Sequence, residues 1–163
     1  MSFVKSMKAK DIIEALKLVR LEPEGGYFNE TIRSGLKIDA RLISQKYEGQ
    51  RSMFTAIYYM LTDEDESLPH KIISDEIWFF HFGDPIAMTI SSPDGENTEQ
   101  IIIGNDIFAG HRPQFHIPAE YTQQAKIIRK KYGFALVSTV VIPGFEYDDF
   151  ELINQTDKIG GKN

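Results

Sequence analysis

The residues best suited to chemistry lie in one segment of the chain, PHKIISDEIWFFHFG, which runs from Pro69 to Gly83. Read with the two-residue period of a strand, His70, Glu76 and Trp78 share a face that is otherwise mostly apolar or aromatic. A carboxylate on such a face must be paired, ligated or protonated, because burying an isolated charge is costly. The pattern therefore predicts a lined cavity with His70 and Glu76 as its candidate catalytic residues.

A histidine beside a buried glutamate is one arrangement that gives a general base for abstracting a proton next to a carbonyl group. In this interpretation His70 is the base, Glu76 orients it, and Tyr27 or Tyr59 supplies an acid from the other side. The simpler alternative is that His70 and Glu76 form a buried structural ion pair. Both alternatives stay open at the level of sequence.

Other side chains extend the site toward ligand binding. Trp78 and Tyr59 offer flat apolar surface for a sugar ring, and Arg33 and Arg51 are candidates for pairing with a phosphate or carboxylate. Gln123 joins the histidine and the glutamate as a hydrogen-bonding residue. The competing interpretation makes Trp78 a core residue and leaves Arg51 facing solvent or the acidic loop at 62–68.

Composition limits the classes of function. The chain has 163 residues, a net charge of −6 and no cysteine, which predicts one domain over 1–163 and excludes disulfides, thiolate metal sites and cysteine nucleophiles. The acidic balance argues against nucleic-acid binding, which needs a basic surface. No apolar run approaches membrane-spanning length and Met1–Lys10 lacks the hydrophobic block of a secretion signal, so the expectation is a cytoplasmic protein without a membrane partner.

The elements that must position these residues are mostly short strands. Apolar spacing predicts a helix over 8–19, and alternation predicts strands at 27–33 and 51–61. The second of these strands is apolar on both faces, which predicts cover by another sheet, by the helix or by a second subunit, and favours a homodimer. Further strands are predicted at 86–91, 98–103, 114–117, 123–129, 134–142 and 145–153, with a flexible tail at 156–163. Together they predict an all-β jelly roll or barrel with one short helix.

Six segments, in this order, resemble the cupin superfamily and within it the Cupin_5-type subfamily. They are P-E-G-G-Y-F-x-E-T at Pro23–Thr31, T-A-I-Y-Y-x-L at Thr55–Leu61, H-K-x-x-S-D-E-I-W-x-F at His70–Phe80, G-D-P-I at Gly83–Ile86, P-Q-F-x-I-P-A at Pro113–Ala119 and V-I-P-G-F-E-Y-D-D-F-E-L at Val141–Leu152. The resemblance implies a cupin double-stranded β-helix, often dimeric, with an internal pocket. The subfamily has no assigned reaction, and its members are often described as sugar-epimerase-like by similarity of fold.

The resemblance also bears on metal binding. In the general cupin pattern three histidines and a glutamate are metal ligands; here His70 matches the first histidine, Glu76 matches the glutamate and Gly83 matches the closing glycine. Ile72 stands at the second histidine and Gln123 replaces the third. The resemblance implies that a divalent metal would use His70, Glu76 and Gln123, but the loss of imidazole ligands favours no cofactor.

These observations predict a cupin that binds a small polar metabolite, such as a sugar or nucleotide-sugar, as an epimerase or isomerase would. Two alternatives remain at this level. One is a ligand-binding sensor without catalysis, favoured by the missing metal ligands. The other is a metal-dependent cupin oxygenase or isomerase that uses His70, Glu76, Gln123 and one further ligand.

Overall fold

The computed structural model describes residues 7–153, so the tail predicted at 156–163 lies outside the described residues. Helix α1 spans Ala9–Ala15 and is shorter than the predicted 8–19. Lys17 adopts a left-handed conformation with φ of 53° just after the helix, and this turns Leu18 into a buried position. No helix among residues 7–153 is long and apolar enough to cross a bilayer.

The described residues form thirteen strands, and most of their bounds lie within a residue or two of the predicted bounds. Their bounds are β1 Val19–Arg20, β2 Tyr27–Arg33, β3 Lys37–Asp39, β4 Gln50–Ser52, β5 Thr55–Thr62, β6 Glu66–Ile72, β7 Asp75–Gly83, β8 Ile86–Ser91, β9 Thr98–Ile103, β10 Gln114–Ile117, β11 Thr122–Ile127, β12 Phe134–Ile142 and β13 Phe150–Leu152. The last predicted strand, at 145–153, is instead a 3-10 turn at Tyr147–Asp149 followed by the short β13.

The strands form two main antiparallel sheets. One has the order β1-β2-β5-β12-β7-β10 and the other has the order β13-β6-β11-β8-β9, while β3 and β4 form a separate hairpin. Apolar side chains from both sheets meet in one core cluster that includes Leu61, Met88 and Val137. This arrangement confirms the predicted all-β cupin jelly roll with one short N-terminal helix.

The central segment is two strands rather than one. β6 and β7 belong to different sheets, and the chain turns between them at Ile73 and Ser74. The shared face predicted for His70, Glu76 and Trp78 survives the turn, because all three residues face the space between the sheets. The predicted strand at 51–61 is likewise divided, between β4 and β5.

Strand β5 is covered on both faces by its own chain. Tyr59 and Leu61 belong to the core between the sheets, whereas Met60 packs with Ile12 of α1 and Leu18 on the outer side. Of the three covers that the sequence left open, the other sheet and the helix are the ones found within this chain. Since that face is already covered, it no longer argues for a second subunit, and the homodimer stays a prediction.

A β-bulge in β2 separates two residues that the sequence placed on one face. The pairing of β2 with β5 shifts between Glu30 and Ile32. Tyr27, before the shift, packs with the outer cluster beside α1, whereas Arg33, after the shift, lines the inner space. The prediction that Tyr27 contributes to the site is wrong for this reason.

A second shift in register divides the aromatic run of β7. Phe80 pairs with Val137 and Phe82 with Leu136, so that one residue of β7 is left over between them. Phe80 consequently packs against the core between the sheets, and Phe82 packs with the outer cluster. Strict alternation along the segment ends at this bulge.

Candidate ligand cavity

A cavity of about 240 Å³ lies between the two sheets at the end that the apolar core does not fill. Strands β2, β5, β7 and β12 form one wall, and β6 and β13 form the other. Its volume falls slightly below the range of roughly 300–1,000 Å³ usual for ligand sites, which suits a small guest. The lining residues are Leu21, Glu22, Pro23, Glu24, Phe28, Glu30, Arg33, Thr55, Ile57, Tyr59, His70, Ile72, Glu76, Trp78, Thr139, Val141, Phe145, Glu146, Tyr147 and Phe150.

His70 is buried in this wall with one ring nitrogen already committed. Its Nδ1 lies 2.7 Å from the carbonyl oxygen of Leu68, and since a carbonyl only accepts, Nδ1 carries the hydrogen. In the neutral ring this leaves a lone pair on Nε2, which lies 3.8 Å from Oε2 of Glu24. The ring also stacks on Phe150, with centroids 5.3 Å apart. These contacts fix the orientation of a potential proton acceptor.

Glu76 is buried on the opposite wall, and its contact is with an amide. Gln123 donates from Nε2 to Oε2 of Glu76 at 2.7 Å, which brings two of the predicted site residues together. Among residues 7–153, no hydrogen bond or ion pair joins Glu76 to His70. The His70 ring is therefore oriented by the Leu68 carbonyl and Glu24, and not by Glu76 as predicted.

Glu24 is the site residue that sequence reasoning missed. It accepts a hydrogen bond of 2.9 Å from the Ser67 hydroxyl at Oε1 and turns Oε2 toward His70. Burial raises the pKa of Glu24 above its ordinary value; His70 works in the opposite direction, and the neighbouring charge of Glu76 raises it further. A carboxyl group that favours the protonated form therefore lies beside the histidine.

Two glycines hold Glu24 in place. Gly25 has a φ of +108°, and a Cβ there would lie 2.2 Å from the carbonyl oxygen of Glu66. Gly26 has a φ of +78°, and its Cβ would meet the Tyr59 hydroxyl at 2.8 Å. The turn can therefore lie directly against β6 at Gly25 and against β5 at Gly26 only with glycine at both positions. In the sequence, the signal for Glu24 is the pair of glycines that follows it in the segment P-E-G-G-Y.

Tyr59 and Trp78 line the cavity and also belong to the core cluster between the sheets, so the core interpretation of Trp78 is confirmed and its contact with a sugar ring stays a prediction. Their rings meet edge to face, with centroids 5.6 Å apart. The Tyr59 hydroxyl donates to the Gly25 carbonyl at 2.8 Å, and burial raises the pKa of this phenol well above its ordinary value. Because its proton is held by the backbone, Tyr59 does not match the predicted role of acid.

Two buried polar atoms of cavity-lining residues have no hydrogen-bond partner among residues 7–153. They are the indole Nε1 of Trp78 and the hydroxyl Oγ1 of Thr139, and both residues are 2% exposed. The amide oxygen of Gln123, behind the wall, is a third such atom. Since buried polar groups are nearly always hydrogen-bonded to protein or to ordered water, these atoms mark a place for a bound molecule or a water.

Both arginines that were predicted to bind an anionic ligand already pair with carboxylates of the protein. Arg33 lies at the mouth, where its guanidinium donates to Glu30 at 2.9 and 2.8 Å and to Glu146 at 2.6 Å. Arg51 is outside the cavity lining and donates to Asp149 at 2.9 and 2.7 Å. The interpretation of Arg51 as a ligand-binding or solvent-facing residue is wrong, because a buried carboxylate already pairs with it.

The residues that the resemblance implied as metal ligands do not fit a divalent ion. Within residues 7–153, no group of three histidine, aspartate or glutamate side chains is arranged to hold one. Gln123 also directs its amide NH2 group, rather than its oxygen, toward Glu76.

Comparison with known families gives a match over nearly all of the described chain. The family described as Cupin_5, Cupin superfamily (DUF985), matches residues 10–153. A curated relative, the uncharacterized protein YML079W of Saccharomyces cerevisiae, is 29% identical over 145 residues, which cover 83% of this chain and 71% of that protein.

Solved structures give the same result. A hypothetical protein from Leishmania major is 30% identical with a TM-score of 0.86, and the match covers 94% of this chain and 91% of that one. Protein SO0799 from Shewanella oneidensis is 32% identical with a TM-score of 0.82, covering 94% and 89%. Oxalate decarboxylase from Bacillus subtilis, at 14% identity, a TM-score of 0.55 and 88% and 31% coverage, shares the fold alone.

Proposed function

This chain belongs to the Cupin_5 family of the cupin superfamily, and we propose that its cavity binds a small hydroxylated molecule that carries no phosphate or carboxylate. The observation that supports this most directly is the pair of unpartnered polar atoms on Trp78 and Thr139, both in cavity-lining residues. A guest with hydroxyl groups accepts from the indole N–H and exchanges a hydrogen bond with the threonine.

The charges around the cavity further limit the kinds of molecule that can bind there. Five glutamates line it, and Arg33 is the one arginine or lysine in its described lining. Since Arg33 already pairs with Glu30 and Glu146, the wall offers an anion no free cation. This argues for a free sugar or polyol and against the nucleotide-sugar that the sequence suggested.

His70 gives the proposed site a proton acceptor. Its Nε2 carries a lone pair in the neutral ring and lies 3.8 Å from Oε2 of Glu24. This favours epimerisation or isomerisation beside a carbonyl group as the reaction class. One proton moves from carbon to Nε2 and returns, while the electron pair moves to the carbonyl oxygen and back, so no co-reactant is needed.

Binding is tested by calorimetry with free aldoses, ketoses, polyols and amino sugars, set against sugar phosphates and nucleotide-sugars. We expect binding only in the first group, weakened in Thr139→Val and Trp78→Phe and unchanged in Thr98→Val, which removes an exposed hydroxyl on β9. Preferential binding of the phosphorylated compounds, or no binding by any member of the first group, would contradict the proposal.

Catalysis is tested separately from binding. Any sugar that binds is incubated with the protein in deuterium oxide, and NMR follows the exchange of the hydrogen beside its carbonyl. We expect exchange in the wild type and its loss in His70→Gln, with binding retained. Binding without exchange would make the protein a sensor of the same ligand rather than an epimerase or isomerase.

A further inference from the structure

Two buried carboxyl groups belong to the cavity wall, and neither has a cationic partner. The side chain of Glu24 is 14% exposed and Glu76 is 8% exposed. Their hydrogen-bond donors are neutral, the Ser67 hydroxyl and the Gln123 amide. Within residues 7–153, neither carboxylate has a lysine or arginine within 4.0 Å, and the imidazole of His70 is the nearest basic group to Glu24. A buried carboxylate without a countercharge is unfavourable, so the site favours a guest that supplies positive charge.

The hydrogen-bonding groups of the cavity are mainly acceptors. Nε2 of neutral His70 accepts, and so do the oxygens of Glu24 and Glu76 once a cationic guest makes their ionised form favourable, whereas the Tyr59 hydroxyl already donates to the backbone. Trp78 supplies the unpartnered N–H, and the unpartnered hydroxyl of Thr139 can donate or accept. A guest that complements this wall carries several donors, and an ammonium group has three donors and no acceptor.

Aromatic side chains surround the same space. The rings of Phe28, Tyr59, Trp78, Phe145 and Phe150 all line the cavity. The face of an aromatic ring attracts a cation, most strongly where water is excluded. Acidic and aromatic residues in one enclosed wall suit a cation better than they suit a neutral sugar of the same shape.

We propose that the guest carries a protonated amine, held between Glu24 and Glu76, together with hydroxyl groups that meet Trp78 and Thr139. The substrate class is then an amino sugar, and a small amino alcohol carries the same binding groups without the carbonyl. This inference rests on the proposed function, because it adds the charge of the guest to the same cavity. The unpartnered atoms of Trp78 and Thr139 point to a guest independently of the carboxyl groups.

The test compares probes that differ in one group. Calorimetry measures D-glucosamine against D-glucose and ethanolamine against ethylene glycol, at about pH 6.5, where the amines are protonated. We expect each amine that binds to do so about tenfold tighter than its neutral partner, the usual size of a charge-assisted hydrogen bond. Glu24→Gln and Glu76→Gln should each remove most of this difference, because glutamine keeps the shape and loses the charge.

Glu99→Gln is the matched control, since Glu99 is an exposed residue of β9 outside the cavity. Circular dichroism of each variant checks that it folds, and the comparison of probes on the wild type does not depend on any variant. Equal or tighter binding of the neutral partners would overturn the amine while leaving the proposed function intact. Absence of binding by all four probes and by every free sugar and polyol above would overturn both.

Discussion

Thr139 on β12 lies directly opposite Trp78 on β7, and each has a buried polar atom without a hydrogen-bond partner among residues 7–153. Residues paired across two strands share a face, and here that face is the wall of the cavity. Two adjacent strands therefore place two unsatisfied groups side by side, in residues that line the cavity. Without a binding partner these polar atoms lower the stability of the core, because apolar groups of the same shape would avoid the cost of burying them.

Thr139→Val should stabilise the protein without ligand. Removing an unsatisfied buried hydroxyl should raise the free energy of unfolding by about 1 kcal/mol, as measured by urea denaturation. Thr62→Val is the control, because the Thr62 hydroxyl donates to Asp65 at 2.6 Å and its loss should destabilise. Equal destabilisation by both changes would show that Thr139 has a partner in the free protein, such as an ordered water.

Arg51→Met should be strongly destabilising. Arg51 is 4% exposed and Asp149 is 5% exposed, so the change leaves a buried carboxylate without its partner. Loss of one member of such a pair costs about 3–5 kcal/mol, and Arg51→Met with Asp149→Leu should recover much of it. Lys71→Met, which breaks the exposed pair with Glu151, should change little in the same denaturation experiment. A small effect of Arg51→Met alone would contradict the structural role.

Glu24→Gln should stabilise the protein at high pH and have no such effect at low pH. Since the pKa of Glu24 is raised in the folded state, folding is favoured where the carboxyl is protonated. This stability is fully present below the unfolded value of the pKa and is lost as the pH rises through the folded one. Urea denaturation over a pH series measures the difference from wild type, and a difference that does not change with pH would exclude a raised pKa.

Arg33→Met should loosen the cavity mouth without unfolding the protein. Arg33 connects Glu30 on β2 with Glu146 and the carbonyl of Phe145. The side chain is 34% exposed, so its ion pairs should contribute no more than about 1 kcal/mol. Amide hydrogen exchange should become faster at residues 145–149 and stay unchanged in β8. Unchanged exchange at 145–149 would show that the arginine does not hold this segment.

Metal analysis tests the remaining alternative of a metal-dependent oxygenase or isomerase. Because the donor set of His70, Glu76 and Gln123 does not form a metal site, we expect far less than one bound divalent ion per chain after purification without added salts. Glu76→Ala should show the same content. A stoichiometric ion that is lost in Glu76→Ala would contradict this expectation and restore the metal-dependent alternative.

The sequence was enough to predict the family, most of the strands and the inward face that carries His70, Glu76 and Trp78. Alternation and turn residues are local properties, so each strand and its faces can be predicted from a few neighbouring residues. The hairpin at Ser92–Gly95 and the strand at Phe134–Ile142 are examples, since both lie where the sequence placed them. The resemblance then predicted that such strands form a cupin double-stranded β-helix, and the structure gave their order in the two sheets.

The tertiary structure decided which side chains meet. The bulges in β2 and β7 moved Tyr27 and Phe82 to the outer side, and a bulge depends on the partner strand rather than on local alternation. Asp149 pairs with Arg51, although the two residues are 98 positions apart in the sequence. Glu24 lies beside His70 because the turn before β2 packs against β6. Charge pairing of this kind depends on distances between remote segments, which no local pattern encodes.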